Sequence, residues 1–344
     1  MINRRREVWF LLASMLFLFS CVKEIKIENR TGERKLVVEG MITNEATPYS
    51  VRLSYLFELD NYIAIGEIPY AENANVQISD DAGNSTTMEY LGKGLYQTMD
   101  PDFIGVVGRS YALSIITEDG KSFVSKPEKL LPVPPIDSVY TDYIFQGPAF
   151  GEGYNVYIDF TDPAGQANYY RWTAFSYSVI RSYCPPCPPG QLCPPCSEFC
   201  WFRTEGKNLN VVSDQLFDGR AVKGKKVFFS PAFVNNDHLV EVQQMSLSQD
   251  AYSFWQKYQD QQNRVGSIFD PAPASIRGNI VSATDAGDTQ LGYFFVSGVS
   301  RKKYTFIDPV LQNVQSIYGY PTQLPSGDCR EVYPGATLER PGGW

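Results

Sequence analysis

Histidine is nearly absent: His238 is the only one in 344 residues. That excludes multi-histidine zinc sites and the HExxH helix of a metalloprotease, which need at least two imidazoles. An excess of positive charge is missing too. The 30 Lys+Arg are outnumbered by 38 Asp+Glu, giving a formal net charge of −8 and a pI near 4.9. A nucleic-acid binder needs a basic face for phosphate, so that class is excluded. No GxSxG elbow, P-loop or strand-linked GxGxxG occurs, so the common serine-nucleophile and nucleotide chemistries have no motif. The apolar run at residues 8–19 falls short of the ~20 residues a spanning helix requires. What is present is a chain 43% hydrophobic and only 20% charged, which can bury real cores.

The N-terminus carries an address. Arg4, Arg5 and Arg6 precede the apolar run, which ends in Leu18-Phe19-Ser20-Cys21. A basic n-region followed by a short h-region is a secretory signal peptide, assigned to residues 1–20. Leu-x-Ser-Cys resembles the bacterial lipobox, so cleavage before Cys21 and attachment of diacylglycerol to its thiol are expected, followed by a tether over 21–34. Acyl chains on one residue supply the two or more signals that stable anchoring needs. Cleavage removes three Arg and one Glu and leaves the exported chain near −10. The next residues, Val22-Lys23-Glu24, lack the Asp that retains enteric lipoproteins at the inner membrane, and this short charged stretch resembles the surface-export signal of Bacteroidota lipoproteins.

From residue 35 the pattern is one of short strands. Residues 36–42 are β-rich, while 49–55 and 74–79 alternate apolar and polar with period two. Asp80-Asp81-Ala82-Gly83-Asn84 supplies turn chemistry, and its carboxylates lack the ligand spacing of a calcium loop. Glu118-Asp119-Gly120-Lys121 closes a hairpin between 111–117 and 122–124. These features predict an immunoglobulin-like β-sandwich over 35–130. Three prolines in Leu131-Pro132-Val133-Pro134-Pro135-Ile136 deny ladder donors and predict a semi-rigid joint at 131–137. The remainder, 138–344, reads as a second β-rich domain. One segment departs from strand periodicity: Ala251, Phe254, Trp255 and Tyr258 follow i, i+3, i+4, i+7, which predicts an amphipathic helix over 248–264. Ser248 is its expected N-cap, Leu247 and Tyr252 its hydrophobic staple, and Gly266 its C-cap. His238 reads as a turn residue before a strand.

The chemistry-bearing stretch is the loop 182–202, with Cys184-Pro-Pro-Cys187, then Cys193-Pro-Pro-Cys196, then Cys200-Trp201. Zinc, redox and disulfide readings compete here. Zinc ribbons separate their CxxC pairs by about 15–20 residues, far more than the gap between Cys187 and Cys193. A redox CxxC needs a helix N-terminus to lower the thiol pKa, and the following prolines oppose one. An exported chain meets an oxidising compartment, which favours disulfides among Cys184, Cys187, Cys193, Cys196, Cys200 and Cys329. Five cysteines in one loop cannot all pair among themselves, so one is expected to reach Cys329; the sequence does not choose the pairing. A stapled excursion between strands is a common place for partner contact, with Tyr183, Phe199 and Trp201 as the candidate residues. Nothing singles out a catalytic carboxylate pair, a metal site or a cofactor, and the abundant Tyr and Phe fit β-sheet cores and cross-strand pairs as readily as a binding surface.

Taken together, Cys21 with its tether, Leu36-Val37-Val38-Glu39-Gly40-Met41-Ile42-Thr43, Asn168-Tyr169-Tyr170-Arg171-Trp172, Ser246 to Trp255, Phe269-Asp270-Pro271-Ala272-Pro273, Ile276-Arg277-Gly278-Asn279-Ile280, Leu291-Gly292-Tyr293-Phe294 and Asp328-Cys329 resemble a family. It is a domain-of-unknown-function family of Bacteroidota outer-membrane lipoproteins, encoded beside TonB-dependent receptors. The doubled Pro-Pro cysteine motif is more elaborate than the family's usual cluster, and the ending Arg340-Pro341-Gly342-Gly343-Trp344 only approximates the family's. The resemblance implies location and company and transfers no catalytic residue. The expectation is a non-enzymatic, lipid-anchored, surface-exposed outer-membrane protein. It would serve a TonB-dependent receptor in nutrient capture and need no cofactor. The alternatives are an envelope adhesin or scaffold, and a surface hydrolase acting on glycan or peptide.

Overall fold

Strand after strand buries every second side chain, the signature of sheets with one face on a core. The computed structural model describes residues 35–56, 68–145, 152–206, 209–231, 237–262, 276–285, 287–307 and 325–342. The signal peptide, Cys21, its tether, Gly266 and residues 269–273 lie outside the described residues. The chain is mainly β, as the alternation predicts.

The first group comprises β1 (Leu36–Thr43), β2 (Ser50–Tyr55), β3 (Asn75–Asp80), β4 (Ser85–Gly92), β5 (Leu95–Thr98), β6 (Ser110–Ile116), β7 (Ser122–Ser125) and β8 (Glu128–Lys129). Val38, Val51, Leu53, Val76, Ile78, Leu113 and Ile115 are almost fully buried in one shared core. β4 hydrogen-bonds β3 on one side and β5 on the other, so the sheet folds over to enclose that core as a sandwich. Both expected hairpin turns are present. Gly83 (φ +88°) follows β3 and Gly120 (φ +83°) follows β6, conformations that glycine takes without a Cβ penalty.

The chain then builds β9 (Ile136–Phe145), β10 (Glu152–Thr161), β11 (Tyr169–Arg181), β12 (Phe199–Glu205), β13 (Asn210–Ser213), β14 (Ala221–Pro231), β15 (Asp237–Leu247), α1 (Gln249–Gln262), β16 (Ile280–Ser282), β17 (Leu291–Ser297) and β18 (Val299–Ile307). Strands β14-β10-β9 form one sheet and β12-β11-β15-β18 another, with β13 also beside β11. Their facing sides share a core that includes Val156, Ile158, Phe160, Trp172, Val240 and Val242. His238 is not in a turn. It lies within β15, fully buried, with Nδ1 3.0 Å from Ser178 Oγ and its ring stacked 5.0 Å from Phe306. The apolar periodicity of β15 reaches one residue further upstream than the polar run before it suggests.

Two late strands leave the second group. β16 pairs antiparallel with β7, and β17 runs parallel to β1 with Val38 opposite Gly292 and Ile42 opposite Val296. Sequence patterning assigns 280–282 and 291–297 to the region 138–344, whereas the register places them in the first sheet. The reason is physical. Phe294 and Val296 face the first core, while Tyr293 and Phe295 face α1. A strand apolar on both faces carries no mark of which sheet it joins. Helix α1 forms where its periodicity predicts. Ser248 Oγ accepts from Ala251 N at 3.1 Å, and Leu247 and Tyr252 share one apolar cluster.

Hydrogen bonds tie the Pro-rich joint to the strands around it. Leu131 O accepts from Ser246 Oγ (2.7 Å) and Pro134 O from Gln244 Nε2 (2.8 Å). Nearby, Glu128 is almost fully buried and accepts from Tyr293 OH and from Ser248 Oγ (2.8 Å). Arg301 bridges Glu45 and Glu241, the latter at 2.7 Å.

Candidate functional site: a disulfide-stapled finger

The two strands that hold the cysteine loop are ordinary antiparallel neighbours, paired from Phe175 with Glu205 to Arg181 with Phe199. Beyond Arg181 the ladder stops. Six prolines between Cys184 and Cys196 remove backbone donors and fix φ, so neither sheet nor helix can continue. Covalent bonds replace the missing ladder. Cys184 pairs with Cys196 and Cys187 with Cys193, one bridge nested inside the other. Gly190 (φ +81°) turns the tip.

The third bridge, Cys200–Cys329, fastens the base of the finger to a single helical turn at Cys329–Val332. Ile180, Cys200 and Cys329 are buried there against Phe202, Tyr333 and Ala336. Asp328 organises the attachment. Its carboxylate accepts from Ser197 N (2.8 Å) and from Arg330 N and Nε (both 2.9 Å). The Arg330 side chain first, then the Arg330 and Ser197 backbone amides, hold that carboxyl well below the usual range. Cys329 N returns a bond to Ser197 O, and Tyr183 N donates to Pro325 O at 2.8 Å.

The finger itself faces solvent. Leu192 at its tip is fully exposed, and Tyr183 and Phe199 at its root are about half exposed, at 48% and 49%. No charged side chain occurs between Arg181 and Glu198. The Arg181 guanidinium lies 5.1 Å from the Phe199 ring centre. Of the three proposed contact residues, the structure brings Tyr183 and Phe199 to the root of the finger. Trp201 plays a different part: its backbone exchanges two hydrogen bonds with Thr337, adding the C-terminal segment to the free edge of β12, and its indole is partly buried. The four CPPC cysteines pair across the two units rather than within them, so neither unit forms the internal CxxC disulfide of a redox site, and none of the six is a free thiolate for zinc.

Two further constellations stand apart from the finger. A cleft of about 430 Å³ is lined by Asp80, Asn84, Asp100, Asp102, Phe103 and Arg109, among others. Burial pushes the Asp80 carboxyl up. Hydrogen bonds from Asn84, Arg109 and Ala82 outweigh that and bring it down to about 2. Those donors occupy its oxygens as a hairpin turn does. The other is a triad that the sequence gives no sign of, because Asp162 stands 52 residues ahead of Asp214 and only the fold brings it to Asp214 and Asp218. Asp162, Asp214 and Asp218 converge within 4.8 Å. Each accepts a backbone N–H: Gly219 to Asp162 (3.0 Å), Asn168 to Asp214 (2.7 Å) and Gly165 to Asp218 (3.1 Å). The triad thereby fastens the turn after β10 to the one after β13.

A family model described as Domain of unknown function (DUF4249) matches residues 22–303, a span from the residue after Cys21 into β18 that includes the whole finger. No curated protein matches the chain.

Proposed function

Since the chain belongs to the DUF4249 family, whose description assigns no activity, we propose a role from its own residues: a lipid-anchored, non-enzymatic outer-membrane protein that grips a partner through the finger at 182–202. The observation that carries this reading is an uncharged, doubly stapled projection with an apolar tip, held on a β scaffold. A segment rigid before binding loses little entropy on docking, which favours affinity. Pro rings and a protruding Leu suit an apolar socket and offer no charge to an anionic surface.

The partner proposed is a TonB-dependent receptor, with the protein assisting capture or admission of its cargo. The lipobox at Cys21 and the family resemblance in the motifs support that choice. The test uses full-length protein extracted from its native membrane in mild detergent. Wild type should co-purify with a receptor. Leu192→Asp, which keeps both bridges, should lose most of it, and Cys21→Ala should abolish incorporation of labelled palmitate. Repeated isolation of wild type without any such receptor would sink the transporter reading. Unchanged recovery with Leu192→Asp would sink the finger as its contact.

A further inference from the structure

Among the described residues, Arg171 is a cation without an anion. It lies on β11 opposite Met245 of β15, on the sheet side that faces α1 rather than the core. Its Nε is buried and has no hydrogen-bond partner, and its recorded polar contact is Nη1 to the Met245 sulfur at 3.8 Å. Among the described residues no carboxylate pairs with it. Its guanidinium carbon sits 4.2 Å from the ring centre of Trp255 on α1, and Phe295 stacks on that ring at 5.1 Å. Trp255 adds a second anomaly: its Nε1–H is buried and also lacks an acceptor. Two unsatisfied donors on side chains in contact form an unusual arrangement, because buried donors nearly always find acceptors and buried charges nearly always find partners.

We propose that Arg171 and Trp255 form a binding site for a carboxylate at the seam between α1 and the sheet. An acceptor with two oxygens satisfies both orphaned donors at once. The guanidinium is already immobilised against an aromatic face, so its N–H edge is pre-arranged for a planar, bidentate partner. Charge selects carboxylate over phosphate. One cation neutralises a monoanion, whereas a phosphate dianion leaves net negative charge among Met245, Phe295 and the Trp255 ring. The seam borders solvent, since the Arg171 and Trp255 side chains as wholes are only partly buried and Tyr258 beside Trp255 is 40% exposed, although the two unpaired N–H groups themselves are covered. Burial lowers the guanidinium to about 10, the direction expected of a cation that lacks an anion.

The test is thermal unfolding of the full chain with three probes at matched ionic strength: acetylated tetra-alanine with a free C-terminal carboxylate, the same peptide amidated, and inorganic phosphate. The free acid should raise the wild-type midpoint in a saturable way, and the amide should not. Arg171→Met should abolish the response and, without probe, unfold no earlier than wild type, because it deletes an unpaired cation. Arg171→Lys should bind about tenfold more weakly, lacking the fork. If Arg171→Met does not fold, Trp255→Phe serves in its place: it keeps the stack, removes one donor and should weaken binding. Equal effects of acid and amide, or no effect of either on wild type, would overturn the site. A response to phosphate alone would overturn the carboxylate assignment.

Discussion

Glu128 shows how much one side chain can hold. It joins β8 to the N-terminus of α1 through Ser248 and to β17 through Tyr293, while almost fully buried. Burial is the largest influence on it and raises its pKa above the ordinary 4.5, despite the hydrogen bonds it accepts from Tyr293 and Ser248. A carboxyl raised in the folded state binds a proton that the unfolded chain has already released. Its contribution is therefore greatest below about 4.5 and is lost as pH rises through the folded value. Glu128→Gln removes the charge, and the Tyr293 and Ser248 hydroxyls can donate or accept to suit the amide. Its midpoint should exceed the wild type's at neutral pH and converge with it at roughly pH 4, as read by calorimetry across that range. Glu128→Ala should instead cost ~1–3 kcal/mol, because it strands the buried Tyr293 hydroxyl and takes one partner from Ser248. None of this is legible in the sequence. Glu128 stands beside a proline in an unremarkable polar stretch, and its partners lie 120 and 165 residues away. The same distance hides Arg171 and Trp255, each of which looks like an ordinary member of its own element.

At the scale of elements, legibility follows locality. Strands β1, β2, β3, β6 and β7, the turns at Gly83 and Gly120 and the helix with its Ser248 cap all carry patterns set by neighbours within a few residues, and those patterns announce them; β4, β5 and β8 carry no such mark. Sheet membership does not. β17 reads plainly as a strand, yet only its register with β1 shows where it belongs. Gly292 makes that register strict. It has φ +79°, and a Cβ there would stand 2.0 Å from Val38 O, so only glycine lets the two backbones approach. Gly120 has a similar φ of +83° but open space around it. The pair separates strain from contact. Gly120→Ala should cost roughly 1–2 kcal/mol from conformation alone. Gly292→Ala should cost more than ~3 kcal/mol, since it adds a backbone clash that opens the β1–β17 ladder. Urea denaturation of the two variants distinguishes these outcomes.

Across the whole molecule, the three bridges serve different ends. Cys187–Cys193 spans 6 residues and Cys200–Cys329 spans 129. On a chain-entropy scale the long one is worth about 4–5 kcal/mol and the short one about half that. The short bridge also constrains only an exposed finger. Replacing Cys200 and Cys329 together by Ser should therefore lower the unfolding midpoint markedly. Replacing Cys187 and Cys193 should leave it nearly unchanged while loosening the tip, seen as faster proteolysis within 185–195. Counting cysteines is enough to expect that one of the loop's five would reach Cys329. Choosing Cys200 needs the fold, because the choice depends on β12 holding that residue inward while the other four sit beyond the end of the ladder.

Parallel pairing of β1 with β17 also has a consequence in time. Leu36 N donates to Gln290 Oε1 across 254 residues of chain. At roughly 5–20 residues per second of synthesis, β1 leaves the ribosome on the order of 10–50 s before its edge partner exists. Throughout that interval an apolar strand stands with a row of unmatched amides and carbonyls. The N-terminal sheet is thus the first to be made and among the last to be finished, and a chain interrupted anywhere before residue 291 carries an adhesive edge. Safe maturation then depends on whatever shields β1 until the far end of the chain arrives.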